Sequence, residues 1–347
     1  MSEERASAAM ATPLTTRPGL EERAGPAAQP RSIGASAALV AAALALVIFP
    51  LVSPSIYFQN VLTEVLIFGI FAMSLDLLIG YTGLTSFGHA AFFGVAAYGA
   101  GIVATRYSDN LLVTMLAGVA CAGLLALPMG ALAIRSLGVY FLMLTLAFSQ
   151  IVFAAAFKWT WLTGGSNGLA GIPRPDLGGM VNFSSVTTFY YLVLGFFVAA
   201  YLLLRHVVAS PLGHSFVGVR ENESRMRAIG YNTWLVKLAA FTIAGLVGGV
   251  AGVLFSYFNG FVSPSEVHWS TSGLVMVMVI IGGAGTLLGP VLGAALVLIL
   301  QNIVSSQTDR WPLIMGLTFM FFVLGPRRGI AGLYQDALAL TRRAARR

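Results

Sequence analysis

Charge-free hydrophobic runs alternate with short polar connectors along most of this chain. A helix rises about 1.5 Å per residue, so about 20 apolar residues are needed to cross the hydrocarbon core of a bilayer. The run at 272–304 is too long for one crossing and contains GGAGTLLGP at 282–290, which breaks a helix, so we divide it in two. The pattern predicts ten passages, at residues 35–52, 59–79, 88–105, 111–134, 138–158, 187–205, 236–258, 272–282, 287–304 and 311–325.

The expected fold is an all-α polytopic membrane protein of about ten helices, in which the short 272–282 helix either spans or half-spans the bilayer. Composition agrees: 57% of the 347 residues are hydrophobic and 10% are charged, whereas soluble domains carry about 25% charged residues. The single cysteine, Cys121, excludes an intrachain disulfide. The net charge of +7 comes from basic residues in loops and tails, a pattern that fits a lipid bilayer rather than a nucleic acid as partner.

The positions of the basic residues predict the orientation. Sixteen of the twenty Lys and Arg residues fall in the segments 1–36, 135–137, 205–237 and 326–347. Cytoplasmic loops carry such an excess, so we expect both termini and the central basic segment in the cytoplasm. The domains expected are a disordered cytoplasmic tail at 1–36, a transmembrane domain at 37–326, and a basic cytoplasmic tail at 327–347.

Residues 210–232 form the only long polar stretch inside the hydrophobic part of the chain. Ser210 and Pro211 suit the start of a helix, and Gly230 suits its end. Two acid-before-base pairs stand four residues apart in between, Glu221 with Arg225 and Glu223 with Arg227. Either the helix lies on lipid headgroups or it docks on a partner protein. The two glutamates favour the protein, because they are poorly placed against an anionic membrane.

Three ionisable residues fall within predicted passages. Glu64 and Asp76 are twelve residues apart, about 18 Å along a helix, so they cannot form a catalytic pair or share an ion. Either they reach the interface or they serve a pathway or proton relay. His89 either titrates or is a hydrogen-bonded helix-end residue. No side chains show the spacing of a metal site or of a catalytic set, so no enzyme activity, metal or cofactor is expected.

Glycines are frequent, and several pairs are spaced four apart: Gly245 with Gly249, Gly248 with Gly252, and Gly289 with Gly293. Such pairs allow helix backbones to approach closely in lipid. Two glycine-rich breaks, GYTGLTSFGHA at 80–90 and GGAGTLLGP at 282–290, resemble each other and indicate an internal repeat. Interrupted helices either line a transport pathway or serve the architecture.

Five stretches in order resemble a known family: GYTGLTSFGHAAFFGVAAY at 80–98, LTLAFSQI at 144–151, TGGSNGLAGIP at 163–173, SPLGHSFVGVRENESRMRAIGYN at 210–232, and GGAGTLLGPVLGA at 282–294. They are similar to the membrane subunit of branched-chain amino acid ABC importers, in the LivM-type form. The resemblance covers about residues 55–330 and implies the permease fold of an ABC importer. Asp76 stands where members of the family usually carry Asn, so the resemblance assigns it no role.

The resemblance also implies partners: a LivH-like second permease as heterodimer, two cytoplasmic ATPases and a periplasmic binding protein, assembled at a bacterial inner membrane. The helix at 210–230 becomes the coupling helix, with ATPase contacts from Arg220, Glu221, Asn222, Glu223, Arg225, Arg227 and Gly230. The outer loop offers a surface for the binding protein at Gly164, Gly165, Ser166 and Asn167. The chain has no G-x-x-x-x-G-K-[ST] phosphate loop, so another subunit is expected to hydrolyse ATP.

A cavity for an apolar amino acid needs apolar walls and a few polar groups. The candidates are Thr82, Thr85, Ser86, Thr145, Ser149 and Gln150. Two other functions stay open. One is the same machine with urea or a short amide as cargo, and the other is an ion-coupled secondary transporter or channel that uses Glu64, Asp76 or His89.

Overall fold

The computed structural model describes residues 41, 44–50, 55–176, 183–308, 310–324, 329–330 and 332. The chain divides into two units, Met1–Val52 and Ser53–Arg347. In the first unit, residues 44–50 are helical. The predicted tail at 1–36, most of the predicted passage at 35–52 and nearly all of the basic tail at 327–347 lie outside the described residues.

The second unit is a bundle of helices joined by short connectors. Its helices are α1 (Ile56–Asp76), α2 (His89–Arg106), α3 (Leu111–Ala133), α4 (Val139–Lys158), α5 (Thr160–Thr163), α6 (Val186–Ala209), α7 (Pro211–Ala228), α8 (Thr233–Asn259), α9 (Trp269–Gly282), α10 (Leu288–Ser305) and α11 (Trp311–Leu324). A π-helical segment, Leu77–Thr82, continues α1, and 3₁₀ turns occupy Gly165–Asn167 and Pro264–Val267. The predicted passages from 59–79 onward match these helices to within four residues at each end.

Within the described residues, six helices are long and apolar enough to cross a membrane: α1 with its π-helical extension, α3, α4, α6, α8 and α10. These helices make the chain a multi-pass membrane protein. With 14 residues, α9 measures about 21 Å and falls short of a core about 30 Å thick. This length fits the half-spanning alternative for residues 272–282, and the count of ten passages remains a prediction.

The core of the bundle lies around α1 and α8. The protein buries 83% of the most apolar stretch of α1 and 67% of that of α8, against 22% for α4. All three helices are apolar on every side, so the difference in burial comes from the helices that surround each one and not from its own sequence pattern. The exposed apolar side chains of α3, α4 and α6, such as Leu124, Met143 and Leu202, suit contact with lipid.

Glycines on one face of α8 let the neighbouring backbones come close. A Cβ on Gly252 would lie 1.9 Å from the carbonyl oxygen of Phe93 in α2. Cβ atoms on Gly245 and Gly249 would lie 2.8 and 2.7 Å from alanine methyl groups of α3. In α10, a Cβ on Gly293 would lie 1.9 Å from the carbonyl oxygen of Met278. The packing role predicted for these glycines is therefore confirmed.

The two longest helical spans share a layout. Ile56–Thr82 and Thr233–Asn259 each contain 27 residues, and each is followed by a segment without α-helix, 83–88 and 260–268. We call these the re-entrant segments, because they turn back into the bundle from opposite ends. Phe87 lies near the end of the first segment and Trp269 directly follows the second, and their rings are 6.2 Å apart.

The re-entrant segments meet near the middle of the bundle's depth. Ser149 is the eleventh residue of the 20-residue helix α4, and its hydroxyl donates a hydrogen bond of 3.0 Å to the carbonyl of Val267. The start of α2, which follows the first segment, is joined to α9 beside this point, where the amide of Ala90 donates to the hydroxyl of Ser272 at 2.8 Å. The glycine-rich stretch at 80–90 therefore contacts the start of α9, directly after the segment at 260–268.

A short antiparallel ribbon departs from the all-α prediction. Leu169–Ala170 pairs with Phe261–Val262, with Leu169 opposite Val262. Backbone polar groups of an irregular segment must find partners, and the ribbon supplies them. It also fastens the loop after α5 to the start of the second re-entrant segment.

Candidate functional site

The polar helix α7 begins and ends as the sequence predicts. The hydroxyl of Ser210 accepts a hydrogen bond from the amide of Gly213 at 3.4 Å, and Pro211 occupies the first helical position. At the other end, Gly230 has a φ of +92°, a left-handed conformation that glycine adopts without steric cost.

Between these ends, α7 is kinked, which corrects the prediction of one continuous helix at 210–230. Asn222 has φ −159° and ψ 96°, an extended conformation. Its side-chain oxygen accepts a hydrogen bond from the amide of Arg225 at 2.9 Å, so Asn222 caps a second short helix. The pair Glu223–Arg227 forms within that second helix, at 2.5 Å. Glu221 and Arg225 stand on opposite sides of the kink, and the described ion pairs do not include them.

Glu223 ties the second half of α7 to α8. Its carboxylate pairs with the ammonium of Lys237 at 2.7 Å, and the Lys237 side chain is only 4% exposed. It also accepts a hydrogen bond from the hydroxyl of Thr233 at 3.1 Å. Burial raises the pKa of Glu223, but the hydrogen bonds from Lys237 and Arg227 outweigh burial and hold this pKa below its usual value. Glu221 and Arg225, by contrast, are exposed.

Arg220 ties the first half of α7 to the end of α1. Its guanidinium donates a hydrogen bond to the carbonyl of Gly80 in the π-helical segment. Asp76 stands one turn earlier and interacts electrostatically with the same guanidinium. The two halves of α7 are thus attached to different spans.

Asp76 is enclosed, with no exposed surface, and it does not reach an interface. Its two carboxylate oxygens accept hydrogen bonds from the amides of Gly285 at 2.7 Å and Leu287 at 3.1 Å, in the loop between α9 and α10. We call Asp76, Gly80, Arg220, Gly285 and Leu287 the Asp76 junction. It joins the end of α1, the first half of α7 and the α9–α10 loop.

The other two ionisable residues have separate surroundings. His89 is completely buried, its Nε2 lies 2.8 Å from the hydroxyl of Ser74, and its ring stacks on Phe71. Such contacts support the interpretation as a hydrogen-bonded helix-end residue. Glu64 forms a side-chain hydrogen bond with Asn302 of α10. The structure therefore does not bring Glu64, Asp76 and His89 together.

Four of the six predicted pathway residues contact or belong to a re-entrant segment. Thr85 and Ser86 lie in the first segment. The hydroxyl of Thr145 accepts a hydrogen bond from the amide of Phe87 at 3.2 Å, and the hydroxyl of Ser149 donates one to the carbonyl of Val267. Thr145 and Ser149 hold the two segments against α4, and both are fully buried, as is Ser86. The remaining two differ, because the hydroxyl of Thr82 donates to the carbonyl of Leu77 within the π-helical segment, and Gln150, like Thr85, is half-buried. The pathway role stays a prediction.

Sequence reasoning missed a group of rings beside these hydroxyls. The rings of Phe153 and His268 are 5.0 Å apart, those of His268 and Trp269 5.6 Å, and those of Phe87 and Trp269 6.2 Å. We call Phe87, Phe153, His268 and Trp269 the ring cluster. The predicted passages leave residues 259–271 as a connector, and the signal that could have placed them in the bundle is the predicted helix at 272–282, which is too short to span the bilayer.

The predicted contact for a binding protein lies on the loop after α5. Ser166 and Asn167 are exposed. Gly164 and Gly165 have φ values of +79° and +62°, and they shape the turn that presents the two polar side chains. A contact with a binding protein through this loop stays a prediction.

A family model described as branched-chain amino acid transport system / permease component matches residues 57–324. The chain belongs to this family. The matched range begins in α1, ends with α11 and contains both re-entrant segments and the whole of α7.

Two curated relatives of the permease are named high-affinity branched-chain amino acid transport system permease protein LivM. The one from Salmonella typhimurium strain LT2 is 28% identical over 81% of this chain and 71% of its own length. The one from Escherichia coli strain K12 is 27% identical over 83% of this chain and 73% of its own length. An autoinducer 2 import system permease protein, LsrC from Enterobacter sp. strain 638, is 29% identical over 58% of each chain. No solved structure matches the permease.

Family membership confirms the resemblance drawn from the five motifs and makes the chain a transport permease of the ABC class. Permeases of ABC importers work in general with ATPase subunits and substrate-binding proteins. In this permease, α7 is the polar helix that joins spanning helices, and it carries the connections to both α1 and α8.

Proposed function

We propose that this permease is one of two transmembrane subunits in an ATP-driven importer of branched-chain amino acids, with a LivH-like second permease as its partner. The observation that carries the proposal is the family match over residues 57–324, and the two LivM relatives support the cargo. Two ATPase subunits hydrolyse the ATP, and a periplasmic binding protein delivers the solute. The assembly is in a bacterial inner membrane, and this subunit is not itself an enzyme.

In this proposal α7 faces the cytoplasm, as do both termini, because basic residues concentrate at that end. The exposed side chains of α7, among them Glu221 and Arg225, are available to an ATPase. The loop with Ser166 and Asn167 then faces the periplasm, where the binding protein docks.

The attachments of α7 suggest how its movement reaches the pathway. Arg220 connects its first half to Gly80, and Glu223 connects its second half to Lys237. Each attachment leads to one of the 27-residue spans, and each span leads into a re-entrant segment. A displacement of α7 by the ATPases would therefore act on both re-entrant segments at once.

Purified transporter in proteoliposomes tests the function. We expect this permease, its second permease, the two ATPases and the binding protein to accumulate labelled leucine only when ATP is supplied on the ATPase side. Urea, a short amide and autoinducer 2 serve as competing cargoes in the same assay. Leucine uptake by this chain alone, driven by a proton or sodium gradient, would contradict the proposal and favour a secondary transporter.

Autoinducer 2 is included because of a specific observation. The LsrC relative shares 29% identity, though over only 58% of each chain. The LivM relatives cover much more of this chain, 81% and 83%, so branched-chain amino acids are the first choice. ATP-dependent uptake of autoinducer 2 without leucine uptake would reverse that order.

We expect Arg220→Ala to lower leucine uptake about tenfold while the ATPases still co-purify with the permease. A hydrogen bond from a charged donor contributes about 1.5–3 kcal/mol, and about 1.4 kcal/mol corresponds to a factor of ten. Arg220→Lys should recover part of the uptake, and Arg135→Ala, at an exposed arginine of the α3–α4 connector, should leave it unchanged. Loss of the ATPases from Arg220→Ala would instead assign Arg220 to docking.

A further inference from the structure

The ring cluster lies at a depth where lipid-exposed irregular backbone does not occur. Its members His268 and Trp269 follow Val267, whose carbonyl binds Ser149 near the middle of α4. Non-helical backbone at this depth is tolerated only when protein buries it or when it lines a wet cavity. The surface around the ring cluster therefore faces either another protein surface or an aqueous pathway.

One side of the ring cluster is open in this chain. The Trp269 side chain is 41% exposed, Ser265 and Ser270 are exposed, and Phe87 and His268 are half-buried. The exposed surfaces of α3, α4 and α6 differ from this open side, because their large exposed side chains are apolar. Examples are Leu116, Leu124, Met143 and Leu202. Hydroxyl and imidazole groups placed against hydrocarbon would lose hydration, so this open side is not a lipid face.

The polar groups beside the rings retain bonding capacity toward that open side. Nδ1 of His268 lies 2.8 Å from the hydroxyl of Ser270. Because this bond occupies one ring nitrogen, Nε2 on the other edge of the imidazole is available to a solute. Aromatic faces and a small number of placed polar groups are the lining that small-molecule sites use.

We propose that the ring cluster with Ser270 is a solute contact of the translocation pathway, and that it takes a small solute with an uncharged apolar side chain and a polar head. The rings of Phe87, Phe153 and Trp269 contact the apolar side chain, while His268 and Ser270 bind the polar head. This inference rests on the proposed function and adds the residues that select the cargo. Contacts with rings are weak and non-directional, which suits a site that must also release its solute.

Thiol labelling of the assembled transporter tests the site. The native cysteine is first removed as Cys121→Ser, and Ser270→Cys is then introduced. We expect a charged, water-soluble methanethiosulfonate reagent to label this cysteine in proteoliposomes. Leucine at about twice its dissociation constant for the proposed site in the permease should slow the labelling about threefold, because two thirds of these sites are then occupied. Aspartate at the same concentration should not slow it.

A matched control separates water access from exposure alone. Leu124 is 72% exposed on α3, and Leu124→Cys should stay unlabelled, since the charged reagent does not enter lipid. Trp269→Leu provides a second test in case the Ser270→Cys variant assembles poorly. It should raise the KM for leucine about tenfold with the ATPases still bound, because a tenfold weaker affinity corresponds to the loss of about 1.4 kcal/mol of binding free energy.

Three results would overturn the proposal. If Ser270→Cys were labelled only when the second permease is omitted, the surface around the ring cluster would be an interface between subunits. Labelling that leucine does not slow would show an aqueous surface without solute contact, as would an unchanged KM in Trp269→Leu. A failure of the proposed function looks different, because the unmodified transporter would then show no ATP-dependent leucine uptake in the first place.

Discussion

Gly252→Ala is expected to remove most of the folded permease from the membrane. The added methyl group would lie 1.9 Å from the carbonyl oxygen of Phe93, on the backbone of the neighbouring helix α2. A backbone atom cannot rotate away as a side chain can, so α2 and α8 would have to separate. Overpacking of this kind costs about 3 kcal/mol, and here it falls between two buried helices. Yield of monodisperse protein in detergent and its melting temperature measure the effect.

The matched control is Gly195→Ala in α6. No atom lies within 4 Å of a Cβ placed on Gly195, so alanine there should leave yield and melting temperature unchanged or slightly improved, since alanine favours helix more than glycine does. Equal behaviour of the two variants would refute the assignment of Gly252 to close packing.

Asp76→Ala is expected to disrupt the Asp76 junction, to lower the stability of the permease and to abolish leucine uptake. The substitution leaves the amides of Gly285 and Leu287 without their acceptor, and it removes the carboxylate that interacts with Arg220. An unsatisfied buried donor costs about 1–3 kcal/mol, and two are created at once. The melting temperature of the purified permease and leucine uptake by the assembled transporter provide the measurements.

Asp76→Asn separates charge from hydrogen bonding at the same position. Asparagine keeps one carbonyl acceptor but turns an NH₂ group toward the second backbone amide, so we expect a stability between those of the native protein and Asp76→Ala. If Asp76→Ala melted at the native temperature, the carboxylate would have no structural role at the junction.

The helices could be predicted from sequence because each depends on local composition. An apolar run of suitable length forms a helix in lipid wherever it stands, so the bounds of α3, predicted as 111–134, differ by one residue from Leu111–Ala133. The ends of α7 were predictable for a similar reason. Ser210, Pro211 and Gly230 act through their own backbone preferences, and no distant residue is needed.

The junction could not be predicted because its contacts are distant in sequence. Asp76 and Gly285 are 209 positions apart, and the acceptor of Arg220 is 140 positions away. The acceptor of Arg220 and the donors to Asp76 are backbone groups, which leave no pattern of residue types. The kink at Asn222 was hidden for a related reason, since Asn222 caps a second helix inside a stretch that reads as one.

The second re-entrant segment was missed because its polar residues resemble those of a surface loop. Ser263, Ser265 and Glu266 are ordinary loop residues, whereas the contact between Ser149 and Val267 shows the depth they reach. The short length of residues 272–282 indicated that this helix crosses only half of the membrane. It did not indicate whether the residues before it or those after it complete the crossing.

The meeting of Phe87 and Trp269 has a consequence for the thickness of the barrier that a solute must cross. The two re-entrant segments enter from opposite ends, so in the proposed pathway the rings of Phe87 and Trp269 would form a barrier only two side chains thick. Shifting such a barrier by the width of one ring would be enough to change which compartment a solute can reach. The displacement proposed for α7 would then need to move the two segments by only a short distance.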